Sequence, residues 1–97
     1  FFIEPQAFAG LTRLKILDLA NNKLNSFPDG LFSGLDSLEE LNLARNEILV
    51  IGSEKFLGLP NLQLLELSTN GIFSIEDGAF RELASLRELN LVSNEIT

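Results

Sequence analysis

The apolar positions of this chain recur at a fixed interval of 24 residues. Leu14, Leu38, Leu62 and Leu86 each open a segment of the form LxxLxLxxNx[LI], and the segments span 14–24, 38–48, 62–72 and 86–96. Inside them apolar residues alternate with others: Leu17-Asp18-Leu19, Leu41-Asn42-Leu43, Leu65-Glu66-Leu67 and Leu89-Asn90-Leu91. Alternation of this kind predicts short strands with one buried face. The long fixed period predicts a solenoid, in which each unit buries its apolar side only by stacking on its neighbours. Strands in matching register then stack as a parallel sheet, one strand per coil.

The repeat continues beyond the Leu-rich segments. Phe8, Phe32, Phe56 and Phe80 form one column, and Leu11, Leu35, Leu59 and Leu83 another. Ile3, Phe27, Ile51 and Ile75 make a third, and Leu24, Ile48, Ile72 and Ile96 a fourth. Lys55 is the only charged member of the column Ala7, Leu31, Lys55 and Ala79, while Glu82 breaks the column of Gly10, Gly34 and Gly58. Turn formers such as Pro28-Asp29-Gly30 and Glu76-Asp77-Gly78 interrupt the return segments, which predicts irregular or short helical turns there.

These residues resemble the leucine-rich repeat family in its 24-residue form, with an [AL]F-x-x-L-x-x-L return segment. The resemblance covers the whole chain. It implies an α/β solenoid with a short parallel sheet on the concave face and an irregular or short helical convex side. Residues 1–97 then form a single leucine-rich repeat domain without terminal caps. Among subfamilies the repeats look most like those of Toll and Toll-like receptors, Slit-type guidance proteins and variable lymphocyte receptors. That likeness implies an extracellular or secreted place and a role in immune or adhesive protein recognition. The chain has no Met and opens inside a repeat, as a processed product, an excised fragment or an engineered piece would.

Composition narrows the chemistry. Fourteen acids against seven bases give a net charge of −7. A binder of nucleic acid or of an anionic membrane shows a basic patch, so neither partner is expected. The apolar run at Ile48–Gly52 is far too short to span a bilayer, and membrane insertion of this segment is not expected. With no Cys, disulfides cannot staple the coil. With no His or Cys, the commonest general base and the thiol nucleophile are also absent. Glu40 and Glu66 invite a carboxylate-pair reading, but an exposed sheet lacks the cleft that separates two carboxyl pKa values. No enzymatic activity and no cofactor are expected. Calcium held by Asp18, Glu40 and Glu66 is a weaker reading than solvated surface charge, because a hard cation needs six or so oxygens.

Two surfaces remain as partner sites. On the concave face the outward columns are Ile16, Glu40, Leu64 and Glu88; Asp18, Asn42, Glu66 and Asn90; Ala20, Ala44, Ser68 and Val92; and Asn21, Arg45, Thr69 and Ser93. The residues expected to contact a protein there are Ile16, Asp18, Glu40, Asn42, Arg45, Leu64, Glu66, Thr69, Glu88 and Asn90. Past each strand, Phe1, Phe2, Leu49, Val50 and Phe73 place apolar groups where a solvated loop is normally polar. Such a patch either marks an interaction site or folds back onto neighbouring coils. The column Asn22, Asn46, Asn70 and Asn94 is read as a structural ladder, since a side-chain amide can satisfy both backbone N–H and C=O groups. No Asn lies in an N-x-[ST] sequon.

The partner these surfaces fit is a protein with a basic surface. End-to-end self-association is the alternative: the first coil would present Phe1, Ile3, Phe8 and Leu11, and the last Leu86, Leu89, Leu91 and Ile96. Such a head-to-tail contact is open and grows filaments.

Overall fold

The computed structural model describes residues 3–96; Phe1 and Phe2, assigned above to the strand-exit patch, lie outside them, as does Thr97. The described strands are β1 (Ile16–Asp18), β2 (Glu40–Asn42), β3 (Val50–Ile51), β4 (Leu64–Glu66), β5 (Ser74–Ile75) and β6 (Glu88–Asn90). One parallel sheet runs in the order β1-β2-β4-β6. Ile16 pairs with Glu40, Glu40 with Leu64, and Leu64 with Glu88, so the register follows the sequence repeat without a slip. Hydrogen bonding continues one residue past each strand, with Leu19 N, Leu43 N and Leu67 N donating to Asn42 O, Glu66 O and Asn90 O at 2.8–2.9 Å.

The inward strand residues Leu41 and Leu65 are fully buried, as are Leu43 and Leu67 beyond them. Behind them the Phe column stacks face to face: Phe8–Phe32, Phe32–Phe56 and Phe56–Phe80 centroids lie 6.0, 6.3 and 5.9 Å apart. Each such aromatic contact adds about 0.5–1.5 kcal/mol to the area it buries. The return segments form no helix among the described residues. Single turns replace it, closed by Leu35 N to Phe32 O, Leu38 N to Leu35 O and Leu83 N to Phe80 O at 3.1–3.2 Å. The three-residue spacing of F-x-x-L-x-x-L puts each apolar side chain on the inner side of such a turn. Gly58, with φ +75°, keeps the turn from continuing, and a Cβ there would stand 2.8 Å from Ser33 Cα.

Three details differ from the sequence reading. First, β3 and β5 form a second, two-stranded parallel sheet, with Val50 opposite Ser74 and Ile51 opposite Ile75. Phe73 N to Leu49 O and Glu76 N to Ile51 O, both 2.9 Å, extend it. A two-residue strand carries no alternation to read. Second, Ile3 is buried within the core cluster and is not presented at the first edge. Third, Ala44 is buried despite its place among the outward columns. The chain is already turning off the strand there, so Ala44 no longer follows the in-out alternation.

Candidate functional site

The Asn column holds the strand exits together. Asn46 Oδ1 accepts from Asn22 N and Leu24 N at 2.9 Å, and its Nδ2 donates to Leu19 O, Leu43 O and Ala44 O at 3.0–3.2 Å. Asn70 and Asn94 repeat the pattern one and two coils on: Ile48 N donates to Asn70 Oδ1, Ile72 N to Asn94 Oδ1, and both amides donate back to Leu-column carbonyls. Asn22 Nδ2 reaches Leu19 O and Ala20 O within its own coil. Backbone groups that the turn would strand in the interior are thereby paired.

On the face of the four-stranded sheet, Ile16, Asp18, Glu40, Asn42, Leu64 and Glu66 border one shallow hollow of about 160 Å³. Glu88 and Asn90 continue the same columns on β6, opposite Leu64 and Glu66. The Asp18 column has a second use that sequence reasoning missed. Asp18 Oδ1, Asn42 Oδ1 and Asn90 Oδ1 each accept from the backbone N–H two residues on at 3.0 Å, and Glu66 Oε1 does the same for Ser68 N at 3.2 Å. These are side-chain caps of the turn that follows each strand. Asn90 Nδ2 also donates to Glu66 Oε2 at 3.2 Å. One acceptor of each residue is therefore engaged, and only the remainder of each head group faces solvent.

Arg45 and Thr69 belong to a column that is left-handed throughout, with φ of 61°, 57°, 55° and 61° at Asn21, Arg45, Thr69 and Ser93. Asn21 N, Arg45 N and Thr69 N donate to Ala44 O, Ser68 O and Val92 O at 2.9–3.1 Å. The conformation thus turns each N–H toward the next coil and leaves the Arg45 and Thr69 side chains exposed at the rim of the sheet.

The strand-exit residues Leu49, Val50 and Phe73 are 52%, 43% and 56% exposed. They stand about half open, with Leu49 Cδ2 lying against Gly71 of the next coil. Beside them the second sheet stops. Phe27 O, the equivalent of Ile51 O, receives the Lys55 ammonium at 2.6 Å, whereas Ile51 O receives the backbone N–H of Glu76. Lys55 Nζ also lies 3.0 Å from Asp29 Oδ1 and 5.5 Å from the centre of the Phe27 ring. Two hollows of about 400 and 410 Å³ flank this lysine and share Asn25, Ser26 and Asp29 in their walls. The lone charge in an apolar column marked Lys55 in the sequence; its target on Phe27 did not show there.

Among the described residues no three acidic side chains come close enough together to hold a metal ion. The described ion pairs are Lys55–Asp29 and Arg81–Glu54, the latter at 3.8 Å between exposed groups. No helix among the described residues is long and apolar enough to cross a membrane.

Comparison with known proteins decides the family. The leucine rich repeat family model matches residues 1–48 and 36–96. The chain belongs to the leucine-rich repeat family. Its fold superposes on part of a chain in the structure of the Drosophila Toll–Spatzle complex with a TM-score of 0.90 and 34% identity, over 94% of this chain. A structure of the TLR13–ssRNA13 complex gives a TM-score of 0.69 and 32% identity over 92% of this chain. This leucine-rich repeat chain spans 12% and 16% of the length of those two chains.

Proposed function

We propose that this chain is a protein-recognition segment of an extracellular leucine-rich repeat receptor or adhesion protein. It binds through its sheet face and its strand-exit patch. The observation that carries the reading is the open trio Leu49, Val50 and Phe73, large apolar side chains set on a hydrogen-bonded scaffold. Apolar groups gathered on an exposed surface favour a docking partner over bulk water. Glu47, Glu54, Glu76 and Asp77 lie close in sequence to that trio, and the whole chain carries −7, so the fitting partner is a protein with a basic rim around an apolar centre. Support by likeness comes from Toll, whose structure is a complex with the protein Spatzle.

The TLR13 structure is a complex with single-stranded RNA, so family membership gives no ground for excluding nucleic acid. This segment's own charge disfavours it: counterion release needs clustered Lys and Arg, and seven bases are spread among fourteen acids. A catalytic role finds no support in a sheet-face hollow of about 160 Å³ that offers no His or Cys.

The test is direct binding to a panel of purified secreted proteins that includes Spatzle, with single-stranded RNA as a separate probe. A saturable protein ligand is expected, weakened at least about tenfold by Phe73→Asp or Glu40→Lys, the scale of a contact worth 1.4 kcal/mol. Unchanged melting temperatures would show that the fold is intact. RNA binding in place of protein binding, or a ligand indifferent to both substitutions, would overturn the reading.

The second reading is end-to-end self-association of the segment on its own, whose end coils expose Leu11, Leu89 and Ile96. Light scattering across a hundredfold dilution tests it. Growth with concentration that Leu89→Asp abolishes supports assembly, and a constant 10.7 kDa monomer rules it out.

A further inference from the structure

We infer that Asn70–Gly71 is a self-modification site, an amide that the folded coil protects and that hydrolyses when the coil opens. It is the only Asn-Gly pair in the sequence, since Lys23, Glu47 and Glu95 follow the other ladder asparagines. Glycine leaves its backbone nitrogen unshielded, and that nitrogen is the nucleophile. Gly71 N attacks Asn70 Cγ and closes a succinimide ring. The Cγ–Nδ2 bond breaks, and Nδ2 departs as ammonia with the proton that Gly71 N gives up. Water then opens either ring carbonyl, leaving aspartate or its isoaspartyl isomer. No oxidant, reductant or co-reactant besides water is required.

The ladder controls this chemistry from the electrophile's side. Asn70 Nδ2 donates to Leu43 O, Leu67 O and Ser68 O at 3.1–3.3 Å, and Oδ1 accepts from Ile48 N at 3.1 Å. The amide is thus held toward the preceding coil and toward residues before it in its own coil, away from the approach of Gly71. The nucleophile has no such restraint. Glu47 N and Glu95 N, its equivalents, donate to Leu24 O and Ile72 O at 2.8 Å, but Gly71 N makes no backbone bond of this kind among the described residues. Asn70 is also partly exposed, so water reaches it.

The product cannot rebuild the site. A carboxylate has no N–H to give Leu43 O, Leu67 O and Ser68 O, and it brings a negative charge against three carbonyl oxygens. Each chain that stays open long enough is therefore marked and prevented from closing again. Asn70 records the time the coil has spent open.

Peptide mass spectrometry of the folded and urea-unfolded chain, held at mildly alkaline pH, tests this. Asn25-Ser26 is the internal reference, an exposed pair outside the ladder. Unfolded, Asn70 is expected to convert faster than Asn25. Folded, the order reverses, and the Asn70 rate drops roughly tenfold or more, the protection of a locally stable segment. Gly71→Ala should slow the unfolded reaction while keeping the fold, because its Cβ meets only Leu49 Cδ2, at 3.2 Å, on an exposed side chain. Asn70→Asp should melt well below the parent or fail to fold. Asn70 converting ahead of Asn25 in the folded chain, or Asn70→Asp melting with the parent, would overturn the proposal.

Discussion

Thr69 sits at φ 55°, a left-handed conformation that a β-branched residue rarely adopts. The strain is tolerated because Thr69 N reaches Val92 O at 2.9 Å, and the same bond recurs at Asn21 and Arg45. Asn accepts this conformation readily, so Thr69→Asn is expected to raise stability by about 0.5–1 kcal/mol, read as a higher melting temperature. Gly58→Ala should do the opposite. Its Cβ would meet the Ser33 backbone and its φ is +75°, which together cost about 2–4 kcal/mol in a urea titration. Asn46 is the most consequential single residue. Asn46→Ala would leave the N–H groups of Asn22 and Leu24 without their acceptor, while Leu19 O and Leu43 O would keep only the amides of Asn22 and Asn70; each N–H left unpaired in or near the core costs about 1–3 kcal/mol. Asn22→Ala, which loses two carbonyl contacts within one half-buried coil, should cost less than half as much.

At the scale of elements, the parallel sheet was legible because its register equals the repeat: Leu17, Leu41, Leu65 and Leu89 had to face one way for any coil to close. The Phe spine was legible for the same reason. The sheet of β3 and β5 was not, since Val50-Ile51 and Ser74-Ile75 are too short to show a period. Nor were the turn caps of Asp18, Asn42, Glu66 and Asn90, whose geometry depends on backbone dihedrals that side-chain pattern does not report. Lys55 shows both sides of this divide, visible as an exception in its column and opaque as to its acceptor. Lys55→Met should cost about 1–2 kcal/mol by uncapping Phe27 O. Asp29→Ala, removing a carboxylate whose side chain is 64% exposed, should cost under about 1 kcal/mol. Equal losses in the two variants would mean that the ion pair matters more than the carbonyl cap.

Taken as a whole, the molecule is a short stack in which each coil is joined to the next by the sheet, the Asn ladder and the Phe spine, so its stability is close to a sum of intercoil contacts. That arrangement leaves two sides free for a partner, and they differ in character. The sheet face is mixed and acidic, with half of its polar groups engaged in caps, whereas Leu49, Val50 and Phe73 form an apolar ridge beside the Lys55 hollows. The fold and the family were readable from the repeat. The ridge was readable only as a choice between open and folded-back side chains, because exposure depends on where neighbouring coils end. The measurement that bears most directly on the account is hydroxyl-radical footprinting of the chain with and without the strongest protein ligand found in the panel. Recognition through the ridge predicts that Phe73 and Leu49 lose reactivity on binding while Leu57 and Pro60, on the return side, keep theirs. Protection of Leu57 and Pro60 with Phe73 unchanged would contradict it.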